Sequence, residues 1–103
     1  MPYQFKLEAL RRYRQFEEER LQKTLSDAQQ AVEQASDFLK ARIALRQKSE
    51  DEFRIRSENG EETAPQAAMY RGYLQRLAGE IIACNKQVRS AEKACQEVRE
   101  DLL

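Results

Sequence analysis

The chain has 103 residues, 35% of them charged and 41% hydrophobic, with three glycines, two prolines and no tryptophan. That composition is poor material for a globular core and suits long solvated helices. Eighteen basic and eighteen acidic side chains cancel, so no whole-chain field draws in nucleic acid or an anionic membrane, although local patches remain open.

From Tyr3 to Asn59 there is neither proline nor glycine, and the residues are mostly Leu, Ala, Glu, Gln, Lys and Arg, which are good helix formers. One long first helix is expected over about residues 3–57. Its opening, MPYQFKLEAL, lacks the apolar stretch and small-residue cleavage site of a signal peptide. No apolar run in the chain approaches the roughly 20 residues that span a bilayer. A cytoplasmic protein is expected.

The stretch RRYRQF at 11–16 combines arginines with aromatics, a composition able to hold phosphate and stack on bases. Glu17, Glu18 and Glu19 follow at once and repel a phosphate backbone, so an acidic protein partner is favoured and nucleic acid is not expected. Leu21, Leu25, Ala28, Val32, Ala35 and Leu39 then recur at alternating steps of four and three, the mark of a heptad seam. The charged runs EEER and SEDE read as solvated faces.

A loop is expected over about 58–63. Asn59 and Gly60 supply a left-handed helix stop, and Thr63 with Gln66 forms a capping box around Pro65 in the tolerated first turn. A second helix follows over about 64–103. It carries its own seam through Tyr70, Leu74, Leu77, Ile81, Cys84, Val88, Ala91, Cys95, Val98 and Leu102.

A short connection makes the two helices antiparallel neighbours. Facing residue numbers should then share one sum, and they do: Leu39 faces Cys84, Ala35 faces Val88, Val32 faces Ala91, Ala28 faces Cys95, Leu25 faces Val98 and Leu21 faces Leu102. The fold class is therefore all-α, one antiparallel two-helix coiled-coil hairpin spanning residues 1–103, with the first helix overhanging the second.

Toward the loop the same register sets Arg42 against Ile81, Arg46 against Leu77, Ser49 against Leu74 and Phe53 against Tyr70. Helix 2 keeps its apolar stripe there while helix 1 does not. Two outcomes are open: local repacking under arginine stems, or a partly exposed apolar surface near the tip. At the other end, residues 1–20 have no facing partner and overhang by about 25–30 Å at ~1.5 Å per residue. Self-association of two copies through those residues is one way to cover them. Helix 2 stops in mid-pattern at Leu102 and Leu103, which points to a chain shortened at its C-terminus.

The chain contains no histidine, which removes Cys/His zinc sites and histidine-based nucleophilic triads. Phosphate-binding glycine loops are absent from the sequence as well. Cys84 and Cys95 stand about 16 Å apart along one helix at ~1.5 Å per residue, too far for a disulfide. Neither a catalytic, a metal nor a cofactor site is expected.

Two segments carry a family resemblance. YQFKLEALRRYRQFEEE at the start and YRGYLQRLAGEI after the loop resemble the aromatic elements of the FliJ family, coiled-coil components of the bacterial flagellar type III export apparatus. The resemblance implies a non-enzymatic stalk that contacts the hexameric export ATPase and the membrane export gate, with export chaperones as further partners. It implies a location at the inner-membrane face of the flagellar base. Gate docking is implied for Tyr73 and Leu77, with Tyr70 beside them, and ATPase binding for Leu7, Leu10, Arg11 and Arg14. A related injectisome stalk protein and a self-associating structural coiled coil are the alternatives. Gly72 and Gly79 in the second segment fall on the outermost face of helix 2 in this heptad frame.

Overall fold

The computed structural model describes residues 2–102; Leu103, the expected last residue of the second helix, lies outside them, as does Met1. Helix α1 runs Pro2–Glu58 and helix α2 runs Ala64–Leu102. They form an antiparallel hairpin, a rod of 89 × 17 × 16 Å. At ~1.5 Å per residue, α1 alone accounts for nearly all of that length.

The turn is built from the residues that mark it in the sequence. Gly60 adopts φ 68°, a conformation that costs a Cβ-bearing residue strain. Its N–H donates to the Ser57 carbonyl, and the Glu61 N–H donates to that of Arg56. These two bonds satisfy α1 carbonyls in the Schellman arrangement. At the start of α2 the Thr63 N–H donates to Gln66 Oε1 at 3.1 Å, and the Gln66 N–H donates to Thr63 Oγ1 at 3.4 Å. That reciprocal pair is a capping box, and it satisfies donors the helix itself leaves free.

The seam has the expected register. Every α2 position from Tyr70 to Leu102 named above is buried or half-buried, as are Leu21, Leu25, Ala28, Val32, Ala35 and Leu39 on α1. Leu77, Cys84 and Cys95 are the most enclosed apolar side chains. Both cysteines are free thiols, acting as small apolar members of the seam. Helices of this length gain little from propensity alone in water, so this shared seam supplies most of the stability.

Of the two outcomes open near the loop, the structure takes the closed one, with no exposed apolar surface along the seam. Leu77 is only 2% exposed and Ser49 only 6%, and Phe53 meets Tyr70 ring to ring. The seam stays closed because its polar members either leave it or satisfy themselves. Arg42 swings to one flank, pairing with Glu80 at 3.2 Å and lying over the Phe38 ring at 5.0 Å. Arg46 pairs with Glu50 along its own helix. Ser49 is small, and its hydroxyl donates to the Leu45 carbonyl at 2.8 Å, so no buried group is orphaned at that step.

Candidate functional site

Two regions gather the residues that the sequence singles out, one near the loop and one on the overhang. Near the loop, the heptad frame sets Tyr70 and Leu77 in the seam and Tyr73 on its flank. The Tyr70 ring is engaged on two sides, by Phe53 with centroids 5.5 Å apart and by the Arg56 guanidinium at 5.6 Å. Leu77 is enclosed in the seam, while Tyr70 is half-buried and packs within the hairpin on those two sides.

Tyr73 lies on the flank. Half-buried, it borders a cleft with Arg42, Arg76, Leu77 and Glu80. The cleft measures about 190 Å³, below the roughly 300–1,000 Å³ of small-molecule sites, and it suits a side chain of a partner protein better than a free ligand. A neighbouring cleft lined by Phe38, Arg42, Glu80 and Gln87 continues along the same flank, so the ion pair of Arg42 and Glu80 stands between the two. Phe38, half of it exposed, gives this strip a second aromatic edge.

Arg42, Arg76, Glu80 and Phe38 are the residues that the sequence motif did not bring to notice. For Glu80 and Phe38 the signal is the flank of the heptad: Tyr73 and Glu80 lie one heptad apart on α2, and Phe38 and Leu45 one heptad apart on α1, whereas Arg42 is a seam position and Arg76 precedes seam Leu77. In an antiparallel pair these flanking positions fall on the same side. Gly72 and Gly79 stand open, since a Cβ at either would meet nothing within 4 Å. No close approach within this chain requires them.

On the overhang, residues 2–16 are all exposed. Leu7 and Leu10 are 51% and 53% exposed, and with Arg11 and Arg14 they border one shallow groove. The structure therefore brings these four residues together along one side of α1. The groove is the open flank of a single helix and encloses no cavity. Its mixture of leucine and arginine fits a partner surface that is apolar with acidic margins.

No metal-binding cluster occurs among the described residues, and no helix among them is long and apolar enough to cross a membrane. At the turn, both carboxylate oxygens of Glu62 are buried without a hydrogen-bond partner. Set against family models, curated proteins and solved structures, the chain matches none of them.

Proposed function

We propose that the chain is a non-enzymatic stalk of the bacterial flagellar type III export apparatus, a rigid rod that binds the hexameric export ATPase through its overhang and the membrane export gate through the flank around Tyr73. The reading rests on the resemblance of the two aromatic segments. One observation supports it most: the hairpin closes its own seam from Leu21 to Phe53, and both segments still carry side chains with free surface, Leu7 and Leu10 in the first and Tyr73 in the second. Leu7 and Tyr73 sit roughly 65 Å apart along the rod at ~1.5 Å per residue. A rod of that length joins two machines without either touching the other.

Binding at the ATPase end uses Leu7, Leu10, Arg11 and Arg14 against an apolar and acidic surface. The gate end uses Tyr73 in its cleft, held in place by buried Leu77, so Leu77 acts as a positioning residue. The protein itself stays at the membrane face through the gate. The test is turnover of the purified export ATPase with and without the chain at matched ionic strength. Stimulation accompanied by co-sedimentation supports the stalk role; a chain that neither stimulates nor co-sediments removes it.

A further inference from the structure

The overhang has a second apolar strip that the proposed function leaves unused. Phe5, Ala9, Arg12 and Phe16 are spaced four, three and four residues apart, a short heptad stripe. At 3.6 residues per turn they lie roughly 120–180° round the helix from Leu21 and Leu25. The strip thus faces away from the side on which α2 packs. No lengthening of α2 along its seam would cover it. Phe5 and Phe16 are 72% and 63% exposed.

We propose that this back strip is a self-pairing surface, on which the overhangs of two copies lie antiparallel. The stripe is its own complement. Run antiparallel in the register that the hairpin uses, Phe5 of each copy meets Phe16 of the other, and Ala9 meets Arg12. Large side chains cap both ends of the contact and alanine makes room for the arginine stem between them.

The charges agree with this register. Glu8, the one acidic residue between Pro2 and Phe16, precedes Ala9 and so falls beside Arg12 of the second copy. The two arginines that the symmetry brings near each other are each neutralised in this way. Flanking pairs are Lys6 with Tyr13 and Glu8 with Gln15, with no like charges opposed. The acidic run Glu17–Glu19 falls against the N-terminal end of the other copy's helix, where the helix dipole favours negative charge.

Size sets the strength. An aromatic side chain carries roughly 150–250 Å², so the four phenylalanines bury several hundred Å² at most, short of the roughly 1,200 Å² of stable complexes. The pair forms reversibly and is concentration-dependent.

This proposal is independent of the stalk reading, and its test needs neither export partner. Sedimentation equilibrium of the full chain from micromolar to millimolar concentration is expected to show a monomer–dimer equilibrium. Phe5→Glu with Phe16→Glu should weaken it by more than ~10-fold, with helicity by circular dichroism unchanged. Leu7→Glu with Leu10→Glu, on the other side of the helix, should leave it in place. Glu8→Arg alone should weaken the dimer, and Glu8→Arg combined with Arg12→Glu should restore it. Four results overturn the proposal: a monomer at every concentration, a dimer sensitive only to the leucine pair, a charge swap that fails to restore association, or a monomer that instead sediments with anionic phospholipid vesicles through Phe5 and Phe16.

Discussion

The ring of Phe53 lies against that of Tyr70 with centroids 5.5 Å apart and planes tilted by 43°. This contact closes the hairpin just before its turn. It joins the two helices across the whole loop, and it extends to the tip the register that begins with Leu21 and Leu102. Such tilted aromatic pairs contribute about 0.5–1.5 kcal/mol beyond the area they bury. A double-mutant cycle of Phe53→Ala and Tyr70→Ala, read by chemical denaturation, should give a coupling energy in that range. A coupling near zero would mean that the tip is not held by this pair.

Leu77 and Tyr73 should separate in their effects. Leu77 is the most enclosed apolar side chain, and Leu77→Ala should cost about 2–4 kcal/mol, as for leucine removal from other cores. Tyr73, half-buried on the flank, should cost less than about 1 kcal/mol as Tyr73→Ala. Unfolding midpoints of the two variants check this. If gate binding depends on this flank, Tyr73→Ala removes it from a fully folded hairpin.

Gly72 and Gly79 stand on helix surface with open space where a Cβ would go. Each alanine replacement should raise stability by about 0.5–1 kcal/mol, since glycine loses the most backbone freedom in a helix. Thermal unfolding measures the gain. Should gate binding fall while stability rises, the bare strip beside Tyr73 is used by a partner.

Glu62 stands just before the Thr63 cap, where an apolar residue packs onto the fourth residue of the helix, here Ala67. Its carboxylate is buried without a partner, which costs about 1–3 kcal/mol for an unsatisfied group. A negative charge near the α2 N-terminus returns only about 0.3–1 kcal/mol. The first effect is larger, so Glu62→Leu should raise the unfolding midpoint. A lower midpoint would show that the acid serves the turn through its charge.

The hairpin was legible in the sequence because a heptad seam and its antiparallel register are statements about spacing alone. Leu39 opposite Cys84 and Phe53 opposite Tyr70 follow from one constant sum. Arg42, Arg46 and Ser49 were harder, because polarity at a seam position does not reveal whether the seam opens. Arg42 has a stem long enough to reach Glu80 on the flank, and Ser49 turns its hydroxyl onto its own helix. Both outcomes depend on side-chain reach, which spacing does not encode.

The candidate site was legible in part for a related reason. The motif YRGYLQRLAGEI drew attention to Tyr70, Tyr73 and Leu77 together, yet heptad phase divides them into seam and flank. Leu77 is core and Tyr73 is half-buried on the flank. Of the residues that complete the cleft, Arg76 and Glu80 lie within the motif, while Arg42 comes from the other helix and enters only once the register is known.

The most direct test of the central claim is a three-component binding experiment with the chain, the export ATPase and the cytoplasmic domain of the export gate. Wild type should bridge the two partners in one sedimenting complex. Tyr73→Ala should lose the gate and keep the ATPase, and Leu7→Glu with Leu10→Glu should lose the ATPase and keep the gate. Loss of both partners from either folded variant, or no bridging by wild type, would contradict a rod with two separate docking ends.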